Sequence, residues 1–408
     1  MLEIAAQQRL LRLLRPASSA EIGAVAPPEW PAILAAAAAQ RLVPLLGRAI
    51  RNAGAEGQVP ESVRVAVREA TVATAFANLR RSRVFGRLLA ALETARIPII
   101  VLKGLALAEL VYRDVALRPM SDVDVLVGDS DFDAAVQVLF AAGFASDDFD
   151  PAIGSRGHPC HIHLRDPAQT CVIELHWRLS LPTEVGQIDL DEVWSRSRPV
   201  RLAAGPARVL ATEDLILSLA EHVAKHRFAR GSLGLFDIDE TVRRHLNEIE
   251  WREVVERARR WGVARSAYVS FWLAHAALGT PVPDEVTSAL RPADFDSRVA
   301  DLFQDELMSA GAASDADGHF GTVQFWYAKG AAARARLVWQ SLFPPRQLAA
   351  QIRRVPANSP ALYLYYLARP FQVLARNGRF ALRLAVRRAS VTGAASRKAA
   401  IAEWLGRR

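Results

Sequence analysis

The 408-residue sequence predicts an α+β protein, in which a small mixed β-sheet is embedded between N-terminal helices and a larger C-terminal helical domain. Apolar residues first recur with helical spacing, then form short β-branched runs typical of strands, and return to helical spacing from Thr212 onward. These three observations divide the chain into an N-terminal helical region (1–95), a sheet-containing core (96–200), a helical domain (201–342) and a basic helical tail (343–408).

The core begins where the helical spacing stops. An apolar run predicts a buried strand at 97–102, with Pro98 at its start, where a missing backbone donor costs least. A short helix at 105–112 and a second strand at 122–127 follow, and Ser130 is a suitable N-cap for a helix at 131–142.

Two strand-like runs, 160–164 and 171–177, flank a loop rich in turn residues and predict a hairpin. If Leu164 lies opposite Cys171, His161 faces Glu174 and His163 faces Val172. The order strand, helix, strand, helix, hairpin indicates a small mixed sheet with helices on one face.

Bulk composition favours a folded protein of the reducing cytoplasm. Hydrophobic residues make up 51% and charged residues 23% of the chain, and no run of 18 apolar residues predicts a membrane span. The N-terminus lacks the layout of a signal peptide, and two cysteines are too few for a disulfide framework. The net charge of +8 is concentrated in the tail, where residues 360–408 hold ten Lys and Arg but one acid, Glu403.

Two carboxylates interrupt the apolar strand at 122–127. Asp122 and Asp124 are two residues apart, so both side chains point to the same face of the strand. Like charges this close repel each other unless a cation lies between them. Carboxylate oxygens suit Mg²⁺, which commonly binds one or two protein carboxylates together with substrate phosphates.

Other residues strengthen this interpretation. Glu174 is a third acid on a later apolar strand, and three converging carboxylates can hold two metal ions. Glu174 is also a candidate base for the nucleophile's proton. Gly104, at a predicted strand-to-helix turn after Lys103, would let backbone N–H groups approach phosphates.

The pattern of these residues resembles a known family. Lys103-Gly104, Arg118-Pro-Met-Ser-Asp-Val-Asp124 and Glu174-Leu-His-Trp177 are similar to motifs of the uncharacterised nucleotidyltransferases (type 5 NTP-transferases), within the polymerase-beta-like superfamily. The resemblance covers about residues 28–280 and implies a nucleotidyltransferase catalytic core at 96–200.

The resemblance also implies a chemistry. Asp122 and Asp124 would be paired metal ligands and Glu174 the third acid, holding two Mg²⁺ ions, with Mn²⁺ as an alternative. An NTP would be the co-substrate. The family is associated with biosynthetic gene clusters for peptides or surface polysaccharides, and the acceptor stays undefined.

One position departs from the superfamily's pattern. Its members usually carry Gly-Ser at the phosphate turn, whereas here Lys103-Gly104 is followed by Leu105, which has no hydroxyl. Lys103 is therefore predicted to contact phosphate as a point charge, or else to be a surface lysine at a strand end. Arg118 either grips the triphosphate or forms a salt bridge to the acid pair. Ser121 either hydrogen-bonds near the metal or ends a turn.

Histidines and cysteines cluster between residues 158 and 176, but their spacing matches no zinc motif. In the predicted hairpin, Cys160 and Cys171 point away from the histidines. We expect His161 and His176 to line the acidic site, where they would orient Glu174 or contact substrate. The alternative for His176 is packing beside Trp177.

Farther along the chain, His222 and His226 are four residues apart and share one helix face. Lys225 or His226 on this helix either contacts phosphate or the acceptor, or is solvated. Asp237 and Asp239 are at most indirect contributors.

Together these residues predict a Mg²⁺-dependent transfer of a nucleoside monophosphate from an NTP to a hydroxyl or phosphate of an unknown acceptor. Two alternatives stay open: an antitoxin-like enzyme that modifies a partner protein, and an inactive nucleotide-binding scaffold. The basic stretch at 371–388 either contacts an anionic membrane surface or packs on the body of the protein. Nucleic acid is a poorer partner, because aromatic platforms are sparse in the tail.

Overall fold

The computed structural model defines most of the chain up to residue 309 and short parts of the C-terminal region. The described residues are 2–16, 19–146, 160–179, 188–226, 228, 232–309, 343, 359–360, 362–369, 397–398 and 400–406. The predicted basic segment at 371–388 and the last part of the predicted helical domain, 310–342, lie outside them.

The N-terminal region is helical, as the apolar spacing predicts. The last helix of this region is the longest, and its buried residues recur with helical periodicity. The helices are α1 (Leu2–Leu13), α2 (Ser19–Gly23), α3 (Trp30–Ala39), α4 (Val43–Asn52) and α5 (Glu61–Thr94), with 3₁₀ turns at Pro27–Glu29 and Glu56–Gln58.

A six-stranded mixed sheet follows, which confirms the predicted α+β class. Its strands are β1 (Ile100–Val101), β2 (Asp122–Leu126), β3 (His161–Arg165), β4 (Val172–His176), β5 (Arg198–Leu202) and β6 (Gly205–Val209). Their order in the sheet is β3-β4-β2-β1-β6-β5. β2 runs parallel to β4 and β1 runs parallel to β6, while the other neighbouring pairs are antiparallel.

The β5–β6 hairpin is absent from the sequence-based prediction. Pro199 and Pro206 lie inside it, and proline in a strand usually indicates an edge or an end. β5 is indeed an edge strand. Since β6 pairs with β1, the sheet continues to Val209, beyond the boundary expected at residue 200.

The predicted β3–β4 hairpin forms, but its expected register is wrong by two residues. His161 lies opposite His176, and His163 lies opposite Glu174. The sequence-based register instead pairs His161 with Glu174 and His163 with Val172. All these side chains still belong to one face of the sheet, because a shift of two residues preserves the alternation.

The loop between the two strands explains the shift. The carboxylate of Asp166 accepts hydrogen bonds from the backbone N–H groups of Thr170 and Cys171, both at 2.6 Å. These bonds hold 166–171 as the turn, so pairing starts at Arg165 and Val172.

Helices cover one face of the sheet. α5 and α6 (Phe132–Ala141) pack there against the buried side chains of alternate strand residues, and the core they form includes Phe85, Leu88, Val123, Val125, Phe132, Leu139, Ile173 and Leu175. The polar residues of β2, β3 and β4 alternate with these, so they belong to the opposite face.

Between β1 and β2 the chain forms a π-helical turn at Leu107–Val111. The C-terminal helices then pack with α1, α3 and α4 around a second core, which also contains Ile100 and Leu126 of the sheet. They are α7 (Leu190–Arg196), α8 (Thr212–Lys225), α9 (Leu233–Arg244), α10 (Trp251–Arg260), α11 (Ala264–Leu278), α12 (Asp284–Leu290) and α13 (Ser297–Ser309).

Part of the C-terminal tail belongs to this second core. Ile401 and Trp404 are buried in it, and Arg397 forms an ion pair with Glu306. Within the described part of the chain, no helix has both the length and the apolar character needed to span a bilayer.

Candidate active site

The three predicted acids come together on the face of the sheet opposite α5 and α6. β2 and β4 are adjacent and parallel, and their register places Asp124 beside Glu174 and Asp122 beside Val172. Carboxylates from two neighbouring strands therefore lie side by side. The apolar residues that surround each acid in the sequence predict this arrangement.

Asp124 is the most deeply buried of these acids, with 1% of its surface exposed. Its Oδ1 atom lies 3.0 Å from Lys103 Nζ and 3.4 Å from His176 Nε2. Its Oδ2 atom is buried and has no hydrogen-bond partner among the described residues. A buried carboxylate oxygen without a partner is costly, so this atom is a candidate ligand for a cation.

Lys103 lies at the turn predicted to bind phosphate. The next residue, Gly104, has φ of +54°, which a residue with a side chain rarely adopts, and the helical turn begins there. Lys103 Nζ also lies 3.4 Å from Nδ1 of His222 on α8. Burial disfavours the charged ammonium, but the nearby carboxylates, above all Asp124, raise the pKa of Lys103 above its usual value.

Glu174 accepts contacts from two histidines. Its oxygens lie 3.3 Å from His176 Nε2 and 3.6 Å from His163 Nε2. Burial would raise the pKa of Glu174, but the hydrogen bonds from these histidines and the charge of Lys103 hold it well below its usual value. A carboxylate so strongly held in the ionised form is better suited to bind a cation than to accept a proton.

His176 is almost completely buried, between Asp124 and Glu174. Burial disfavours its charged form, but hydrogen bonds to the two carboxylates raise the pKa of His176 above its usual value. The pKa of Asp122 is also raised, because burial and the charge of Asp124 both disfavour its ionised form. Lys103 thus partly balances the charge of the acids, and the ring of His176 contacts two of them.

Ligand atoms capable of holding a metal converge at one point of this face. One atom each from His161, Glu174 and His176 lie within 4.8 Å of one another. The rings of His161 and His176 are 4.7 Å apart, as their direct cross-strand pairing requires. Of these three residues, only Glu174 is also one of the three predicted metal ligands, the other two being Asp122 and Asp124. Cys160 and Cys171 are buried and are not joined in a disulfide.

Arg118 makes a contact that the sequence analysis does not anticipate. Its guanidinium donates two hydrogen bonds of 2.8 Å to the carboxylate of Asp237 on α9, and Tyr112 Oη donates a third, of 2.9 Å. The expected salt bridge from Arg118 to the acid pair is therefore replaced by a pair with a different acid. Burial opposes the charge, but Asp237 raises the pKa of Arg118 above its usual value.

The remaining predicted residues lie around this site. Ser121 precedes Asp122 and hydrogen-bonds to its carboxylate, which favours the ionised form. On α8, the ring of His226 contacts that of His222 at 4.6 Å, and Lys225 occupies the last helical position. His222 contacts Lys103 and so links α8 to the site.

His163 and His222 are the site residues that the sequence analysis did not select. The expected hairpin register, which is wrong by two residues, pairs His163 with Val172 and not with Glu174. The four-residue spacing of His222 and His226 predicts a shared helix face, but spacing alone does not show which of the two contacts the site.

Comparison with known proteins identifies one family. The profile described as uncharacterised nucleotidyltransferase matches residues 26–279, which include the whole sheet and every candidate site residue named above. No curated protein and no solved structure matches the chain.

Proposed function

The chain belongs to the uncharacterised nucleotidyltransferase family, and from this premise we propose that it transfers a nucleoside monophosphate from an NTP to an acceptor hydroxyl or phosphate, using Mg²⁺ or Mn²⁺ and releasing pyrophosphate. The observation that carries the proposal is the convergence of Asp122, Asp124 and Glu174 beside Lys103 and Gly104. Carboxylates next to a cationic, glycine-containing turn are what a metal–triphosphate complex requires.

The acids fit the proposed cations. Asp122, Asp124 and Glu174 offer only oxygen donors, which Mg²⁺ and Mn²⁺ accept, and Oδ2 of Asp124 lacks a hydrogen-bond partner among the described residues. Bound there, one or two divalent cations would neutralise phosphate charge and increase the acidity of the acceptor hydroxyl.

In the proposed reaction, the acceptor oxygen forms a bond to the α-phosphorus of the NTP. The bond from that phosphorus to the bridging oxygen breaks, and pyrophosphate leaves with the electron pair. Lys103 would exchange its contact with Asp124 for one with the triphosphate. Its positive charge would take the place of a serine hydroxyl, which Leu105 lacks. The proton of an acceptor hydroxyl, made more acidic by a bound cation, would leave to solvent or to an acid of the site.

Residues at the border of the site would contribute to substrate binding. Ser121 would orient Asp122, while His161 and His176 would position Glu174. Lys225 and His226, at the end of α8, would meet phosphate or acceptor from the side of the helical domain. Arg118, already held by Asp237, is proposed to support the loop before β2 rather than to grip the triphosphate.

Calorimetric titration of the full chain with each NTP, with and without Mg²⁺, tests the proposal. At least one NTP should bind in a Mg²⁺-dependent way, and Asp122→Asn with Asp124→Asn should weaken that binding at least tenfold. Glu93→Gln, an exposed acid at the end of α5, is the matched control and should bind as the wild type does. The proposal fails if the wild type binds no NTP at millimolar concentration, or if the double variant binds equally well.

A further inference from the structure

Four polar side chains of the β3–β4 hairpin form a compact patch next to the acid pair. His161 lies opposite His176, and His163 lies opposite Glu174, all on the same face of the sheet. Two neighbouring strands thus present three imidazoles and one carboxylate, and the carboxylate is in turn beside Asp124.

Within this patch, three residues have the mutual distances of a ligand set. The donor atoms of His161, Glu174 and His176 lie within 4.8 Å of one another. Donors around an ion with bonds of about 2.1 Å are roughly 3 to 3.5 Å apart, so side-chain movements of about 1 Å would close the set on a cation. Small rotations of the imidazoles are sufficient for such movements.

The burial of His176 is independent evidence for a ligand. The residue is 8% exposed, and its buried Nδ1 atom has no hydrogen-bond partner among the described residues. Its Nε2 atom lies between two carboxylates, 3.3 Å from Glu174 and 3.4 Å from Asp124. Metal-binding histidines commonly have a carboxylate near one ring nitrogen, which fixes the orientation of the ring, and the carboxylates near His176 supply such a contact.

The donor types determine which cation is favoured. Imidazole nitrogen is a good ligand for first-row transition metals, whereas Mg²⁺ prefers oxygen and dehydrates reluctantly. We propose that His161, Glu174 and His176 form a binding site for one first-row divalent transition-metal ion, which shares Glu174 with the oxygen-only site at Asp122, Asp124 and Glu174 but adds two imidazole ligands. Two histidines and one carboxylate leave coordination positions open, so such an ion would be accessible to water or substrate.

This inference extends the proposed function, because Glu174 would serve both sites, but binding of the ion requires no nucleotide. The two proposals can therefore fail separately. An active enzyme without the transition-metal site, and a metal-binding chain that takes no NTP, would be distinguishable results.

Titration of the metal-free full chain with Co²⁺, in the absence of nucleotide, tests the site through the visible absorption of the bound ion. One equivalent should bind with a spectrum of mixed nitrogen and oxygen ligation, and millimolar Mg²⁺ should not displace it. His161→Gln and His176→Gln should each weaken binding at least tenfold, with melting curves by circular dichroism verifying that both variants fold.

Two variants serve as controls for position. His163→Gln removes a histidine from the same face of the strand that carries His161, and Asp122→Asn removes a carboxylate from the neighbouring site. The Co²⁺ affinity of both variants should stay within threefold of that of the wild type. Unchanged binding in folded His161→Gln and His176→Gln would overturn the assignment. So would complete displacement by Mg²⁺, or loss of binding in His163→Gln alone.

Discussion

The ammonium nitrogen of Lys103 lies 3.0 Å from Oδ1 of Asp124, so the turn expected to bind phosphate is in contact with the acid expected to bind metal. Like charges on an apolar strand repel each other, so the sequence predicts a cation between the carboxylates. In the folded chain, the ammonium group of Lys103 lies at that place, and the buried ring of His176 contacts the same oxygen of Asp124. Lys103 therefore offsets part of the repulsion between the acids.

Replacing Lys103 by Met should affect both stability and nucleotide binding. Removal of one partner of a buried ion pair typically costs about 3 to 5 kcal/mol, and we expect Lys103→Met to lower the free energy of unfolding by about 3 kcal/mol. Its NTP affinity should fall at least tenfold, because the proposed triphosphate contact is lost. Urea denaturation and calorimetric titration measure the two effects.

The double variant Lys103→Met with Asp124→Asn separates these effects. Because it removes both charges, it should recover part of the lost stability but none of the NTP affinity. If Lys103→Met alone binds NTP with unchanged affinity, Lys103 has no role in phosphate binding.

The sequence predicted those features that depend on local pattern. The change of spacing near residue 97 and the alternation around Asp122 and Asp124 follow from side-chain direction within single strands. Lys103 and Glu174 lie beside the two aspartates in the fold. Their proximity was expected because each belongs to a predicted strand or to the end of one.

Features that depend on distant or fine contacts were missed. The hairpin register is determined by hydrogen bonds to Asp166 inside a loop, which residue types alone do not define. The partner of Arg118 lies 119 residues farther along the chain, at Asp237, and only the packing of α9 brings them together. Pro199 argues against a strand, but β5 is an edge strand, where proline is tolerated.

The pair between Arg118 and Asp237 should be structural. Because both groups are buried and the contact is bidentate, Arg118→Met would leave an unpaired buried carboxylate and should lower the free energy of unfolding by about 3 to 5 kcal/mol. Where Arg118→Met remains folded, its NTP affinity should stay within threefold of the wild type. A folded variant that has lost NTP binding would instead support the triphosphate-gripping role for Arg118.

Asp166 should make stability depend on pH. Burial would raise its pKa, but hydrogen bonds from the backbone of Cys171, Thr170 and Ala168 hold the pKa of Asp166 below its usual value. Its contribution is therefore complete above the unfolded pKa of about 4 and is lost as the pH falls through the folded pKa.

Comparison with Asp166→Asn measures this contribution. At pH 7 the variant should be less stable by about 2 kcal/mol, the range for hydrogen bonds to a charged group, and the difference should shrink below about pH 4. Urea denaturation across this pH range provides the values, and Glu93→Gln, at an exposed position, is the control. A stability difference that is independent of pH would show that the charge of Asp166 is not responsible.

Gly104 provides the sharpest test of the phosphate turn, because the chain contains a matched control. Gly104 and Gly54 both have positive φ, +54° and +62°, so alanine at either position adds backbone strain of about 1 to 2 kcal/mol. An added Cβ at Gly104 would meet its nearest atom, Asp122 O, at an ordinary 3.6 Å, and at Gly54 it would meet nothing within 4 Å. Gly104→Ala and Gly54→Ala should therefore lose similar stability in urea denaturation, but only Gly104→Ala should weaken Mg²⁺-dependent NTP binding, because its strain displaces the turn that carries Lys103. Equal NTP affinity in the two variants would remove the turn at Gly104 from the nucleotide site.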